Sequence, residues 1–110
     1  MEQTERLKQL HKFLLDSPKD SFLKFAIAKE HEKSAQDDKA LKFYLDIYEN
    51  DPKYIGLYYH LAKLYEKLNE RVLAIKIYDE GIELGKNLGD FHAVSELNNA
   101  RMNLSLEMDN

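Results

Sequence analysis

Cysteine is absent from this chain of 110 residues, which excludes disulfides, thiol catalysis and cysteine–metal sites. Proline occurs twice and glycine four times, too sparsely for an all-β or disordered chain. No stretch approaches the roughly 20 apolar residues of a membrane span. The opening residues, MEQTERLKQLHKFLLDSPKD, are charged throughout and hold no apolar run of signal-peptide length. The expected setting is therefore the cytoplasm, without membrane contact. An excess of basic residues is missing too: the net charge of −4 argues against nucleic acid as a partner, because phosphate binding needs a basic face.

Catalytic signatures are equally scarce. No nucleophile elbow, phosphate-binding glycine loop or dinucleotide fingerprint occurs. His11, His31, His60 and His92 fall on four different predicted helices, none with a second ligand at helical spacing. The expectation is a protein that is not an enzyme and holds no metal and no cofactor.

What is present is a repeat. Hydrophobic residues make up 44% and charged residues 33%, the balance of a helix-rich chain large enough for one domain. Residues from Pro18 onward match those 34 places later at Pro18/Pro52, Lys19/Lys53, Leu23/Leu57, Ala28/Ala62, Lys29/Lys63, Glu32/Glu66, Lys33/Lys67, Ala40/Ala74, Lys42/Lys76, Tyr44/Tyr78 and Glu49/Glu83. A fixed period of this size marks a stacked helical repeat.

Hydrophobic spacing predicts six helices, at about 2–16, 19–33, 38–49, 53–68, 70–85 and 90–107. Short connections make consecutive helices antiparallel neighbours. Asp51 is expected to cap the fourth helix with Pro52 in its first turn, and Asp16-Ser17-Pro18 to do the same for the second. Gly85 is expected to close the fifth helix in the left-handed conformation, and Asp90 to cap the sixth. Five tyrosines, Tyr44, Tyr48, Tyr58, Tyr65 and Tyr78, are expected to bury the ring and send the hydroxyl to the surface.

The second copy reads Tyr58-x2-Leu61-Ala62-x2-Tyr65 and then Ala74-x3-Tyr78, and the first reads Lys24-x2-Ile27-Ala28-x2-His31, Ala40-x3-Tyr44 and Pro52. Between Ser21 and Leu88 the chain therefore resembles the tetratricopeptide repeat family, whose pattern is W-x2-L-G-x2-Y, A-x3-F and Pro. Lys24 and His31 replace two aromatic positions of that pattern, and Lys86 stands where the second copy would have its Pro. Residues 6–18 match only the second-helix half of a repeat, with Arg6 in place of its small residue. At the other end, an offset of 36 aligns Val94 and Leu97 with first-helix core positions.

The resemblance implies an all-α solenoid of antiparallel helix pairs in a single domain. Its parts would be an N-terminal helix at 1–17, repeats at 21–54 and 55–88, and a capping helix at 90–107. It also implies a non-catalytic scaffold for protein interaction, with a peptide or helix of a partner received in a concave groove. The row that lines this groove in the family falls here on Phe22, Phe25, Lys29 and Glu32, then on Gly56, Tyr59, Lys63 and Glu66. Phe22, Phe25, Lys29, Tyr59 and Lys63 are the candidate binding residues. The other reading of Phe22 and Phe25 is packing against the first helix. A second possibility is a structural subunit that self-associates through the last helix, whose apolar residues lie on more than one side; the expected state is a monomer or a weak homodimer.

Overall fold

The computed structural model describes residues 4–109. Their helices are α1 (Glu5–Asp16), α2 (Ser21–Lys33), α3 (Asp37–Asn50), α4 (Gly56–Lys67), α5 (Arg71–Leu88) and α6 (Phe91–Met108). No strand occurs among the described residues, so the fold is all-α. The expected beginning of the first helix near Glu2 lies outside them. No helix of the described residues is long and apolar enough to cross a membrane.

Contacts divide the chain into two compact units that part between Tyr54 and Ile55. In the first, α2 packs on α3 and α1 lies against α2. Its interior is built on Leu7, Leu10, Ala26 and Ile27, with Leu14, Leu23 and Phe43 packed around them. In the second unit, α4 packs on α5, and α6 covers both. Leu57, Leu61, Leu64, Leu97 and Leu104 are fully buried there. The four alanines expected at tight crossings, Ala28, Ala40, Ala62 and Ala74, have no exposed surface at all. A larger side chain at any of them would force the packed helices apart.

Both prolines lie outside the helices they were expected to start. α2 begins after Pro18, with Asp20 as its cap accepting the Leu23 N–H at 3.1 Å. Asp51 ends α3 instead of capping α4, and its carboxylate accepts the Ser21 hydroxyl at 2.6 Å. Pro52 sits in a turn, and α4 begins at Gly56. Asp90 does cap α6, accepting the Ala93 N–H at 3.1 Å.

The fifth helix also runs further than expected. Gly85 lies within α5, and Gly89 is the residue that turns left-handed, at φ 71°. α2 and α4 close the same way on Ala35 (φ 57°) and Asn69 (φ 61°), which are 34 residues apart. In all three ends, the residue after the left-handed one donates its N–H to the carbonyl five residues back in the Schellman pattern. Gln36 reaches the His31 carbonyl at 2.8 Å, Glu70 that of Tyr65 at 2.8 Å, and Asp90 that of Gly85 at 2.9 Å.

Gly85 is needed for another reason. A Cβ there would stand 2.8 Å from the Val94 Cγ2 of α6, and one at Gly81 would stand 2.6 Å from the Tyr58 Cβ of α4. These two glycines let α5 approach its neighbours closely. Leu73 of α5 is 39% exposed; the stretch of α5 that α6 covers centres on Gly81 and Gly85.

Candidate functional site

The candidate row of the first unit lies along α2. Phe22 is 62% exposed. Phe25 is half-buried, its ring 6.0 Å from that of Tyr44 and 5.8 Å from that of Tyr54. Lys29 places its Nζ 5.6 Å from the centre of the Phe25 ring, within reach of a cation–π attraction. Arg6, Phe22, Phe25, Lys29, Glu30 and Lys33 border a depression of about 310 Å³. Arg6, where the repeat pattern has a small residue, pairs with Glu30 at 3.0 Å.

In the second unit the row lies along α4. Tyr59 is half-buried, with the Lys63 Nζ 5.8 Å from its ring centre. Lys63 also pairs with Glu66 at 3.8 Å, and Glu66 accepts the hydroxyl of Tyr78. The candidate lysine is thus held over the ring from one side and by a carboxylate from the other.

Tyr44 and Tyr78 correct one expectation. Both are fully buried, and their hydroxyls do not reach the surface. Tyr44 donates to Glu32, as Tyr78 does to Glu66. Burial first, and the hydrogen-bonded carboxylate second, push both phenols well above the ordinary tyrosine value.

Two of the four histidines, on separate helices, come together. His11 of α1 and His31 of α2 bring their ring centres to 6.2 Å, and Phe43 of α3 lies 5.9 Å from the first and 5.8 Å from the second. His31 is buried, with its Nδ1 3.0 Å from the Gln36 Oε1. Burial, and then the charge His31 would carry, lower the pKa of His11. Among the described residues no group of three or more His, Cys, Asp or Glu is placed to hold a metal ion.

Ion pairs between helices went unseen in the sequence. Lys24, at an aromatic position of the pattern, is buried with its Nζ 3.2 Å from Asp46. Arg101 of α6 pairs with Asp79 of α5. Neither pair has a helical spacing that would reveal it, since each joins residues 22 apart.

The crystal structure of a tetratricopeptide repeat domain protein from Salinibacter ruber superimposes with a TM-score of 0.75 at 40% identity, over 78% of this chain and 96% of that one. This chain belongs to the tetratricopeptide repeat family. A solution structure of a tetratricopeptide repeat domain protein from the same organism gives 0.76 at 40% identity, over 79% of this chain and 88% of that one. A protein from Bordetella parapertussis shares the fold, with a TM-score of 0.81 at 23% identity over 94% of this chain and 90% of that one. No family profile and no curated protein matches the sequence. Within a tetratricopeptide framework, Ala28, Ala40, Ala62 and Ala74 are the small crossing residues, and the Tyr44–Glu32 and Tyr78–Glu66 bonds are one interaction made twice.

Proposed function

We propose that this tetratricopeptide protein is a non-catalytic interaction module that binds a peptide or helix of a partner protein. The binding row is Phe22, Phe25 and Lys29 on α2 with Tyr59 and Lys63 on α4. The proposed organisation is a helix at 1–17, repeats at 21–54 and 55–88, and a capping helix at 90–107. One observation carries the reading: each repeat sets a lysine ammonium over an incompletely buried aromatic ring, at 5.6 Å and 5.8 Å. Ring and cation together suit a segment that brings a carboxylate beside an apolar anchor. A rigid helical scaffold lowers the ordering cost of such binding. For so short a surface the expected affinity is micromolar, about −8 kcal/mol.

Replacing Tyr59 and Lys63 together by Ala tests the reading. Charge reversal at Lys63 would set a second carboxylate beside Glu66, so the neutral change is the cleaner one. Partners are captured by pull-down, identified by mass spectrometry and then titrated individually. The variant should melt like the wild type and bind more weakly by over about 2 kcal/mol. Unchanged affinity in the folded variant would remove this row from the binding surface.

A second reading rests on α6. Its buried stripe, Leu97, Ala100 and Leu104, leaves Phe91 (70%), Met102 (60%) and Leu106 (59%) exposed on another side. A chain that self-associates through this face would sediment faster as its concentration rises, and Met102→Glu would abolish the effect.

A further inference from the structure

A depression of about 560 Å³ opens in the first unit, where α1 meets α2 and α3. Leu14, Leu15 and Pro18 form its apolar wall, Lys8 and Lys12 its rim, and the Lys24–Asp46 pair its opposite side. Lys8, Lys12, Leu15 and Pro18 are all exposed, Leu15 by 83%, so the depression faces solvent rather than a closed interior.

Its position follows from a departure in the repeat. Lys24 occupies the register of Tyr58, 34 residues on. In the second repeat the Tyr58 ring is buried against Gly81, which has no side chain to obstruct it. In the first repeat Ile47 stands at the register of Gly81, and Lys24 sends a slender stem toward Asp46 instead of a ring. The bulk of an aromatic side chain is missing from a place where the fold otherwise supplies one.

We propose that this depression is a second binding site, taking an acidic segment of a partner protein that inserts a leucine or aromatic side chain against Leu14, Leu15 and Pro18. The charge of the lining selects the acidic occupant. Lys8, Lys12 and Lys24 face the depression, with Asp46 as the single carboxylate lining it. An apolar anchor beside flanking carboxylates satisfies wall and rim together. The site shares no residue with the row of Phe25 and Tyr59, so it stands or falls independently of that reading.

The test uses a fluorescently labelled, end-blocked peptide with a leucine–phenylalanine centre and two acidic residues on either side, titrated by anisotropy against the full chain. Saturable binding is expected below about 1 mM. Leu15→Ser and the double change Lys8→Glu/Lys12→Glu should each weaken it by about tenfold or more. All three residues are exposed, so these variants should keep the fold, which circular dichroism verifies. Tyr59→Ala/Lys63→Ala should leave this binding unchanged.

A proton-linked signature should accompany binding. His11 also lines the depression, facing Lys8 and Lys12 of α1, Lys24 and His31 of α2 and Asp46 of α3. His11 starts with its pKa below the ordinary value and a carboxylate bound there favours its protonated form, so affinity should rise as pH falls from about 6.5 to about 5, and His11→Asn should remove the rise. No saturable binding, or binding that ignores both rim and wall variants, overturns the proposal. So does a concentration-dependent self-association relieved by Leu15→Ser, since the occupant would then be a second copy.

Discussion

Ala35 carries backbone strain that its counterpart in the second repeat largely avoids. Both residues close a first helix at positive φ, 57° for Ala35 and 61° for Asn69, but asparagine tolerates this region better than alanine does. Relief of that strain outweighs the extra freedom glycine gains on unfolding. Ala35→Gly should therefore stabilise the protein by about 0.5–1 kcal/mol. Asn69→Gly should change little. Paired urea titrations check the contrast, and a destabilised Ala35→Gly would contradict the left-handed assignment. The strain was invisible in sequence because alanine, unlike glycine, does not announce a positive φ. The tyrosine–glutamate bonds were half visible. Glu32/Glu66 and Tyr44/Tyr78 appear among the repeat identities, but residues 12 apart meet only after two helices fold back on each other.

Helix ends and helix crossings depend on different information. The existence of six helices follows from apolar spacing and short polar breaks. Their ends moved by up to three residues because several were decided by capping bonds: Asp20 rather than the Asp16-Ser17-Pro18 turn starts α2, and Gly89 rather than Gly85 closes α5. Gly85 looked like a stop signal, yet its role is to admit Val94 of α6. Gly81→Ala tests how tightly α5 is held. Alanine gains about 1 kcal/mol of helix propensity, but its Cβ would stand 2.6 Å from that of Tyr58, and two backbone-anchored atoms cannot swing aside. The net effect should be destabilisation by about 1 kcal/mol or more. Gly85→Ala meets a side-chain methyl at 2.8 Å and should be the milder change. Thermal melts of the two variants compare them directly.

At the scale of the whole molecule, α6 is the helix whose removal discriminates most. It covers α5 and α4 within the second unit, with Leu97 against Gly81 and Val94 against Gly85. A chain ending at Gly89 would expose this surface to water, and end helices of repeat proteins exist to prevent that. The truncated protein should aggregate or lose cooperative unfolding, seen by light scattering and by the width of the urea transition. A cooperatively folding, monomeric truncation would show that α6 is dispensable for the fold and would strengthen the self-association reading.

The sequence by itself determined the helical class, the 34-residue period, the buried alanines and the family, because each rests on residue type at a fixed spacing along one chain. It also named Phe22, Phe25, Lys29, Tyr59 and Lys63 as one recurring row. Tertiary structure alone decided what meets across helices: Phe25 packed edge-on toward Tyr54, and His11 brought beside His31. Lys24 shows the boundary between the two. Its departure from the aromatic pattern was legible in the letters, but its burial against Asp46 and the depression beside it were not. Spacing records which residues share a face of one helix, whereas the room left between helices depends on the side chains that every neighbouring helix brings to the same place.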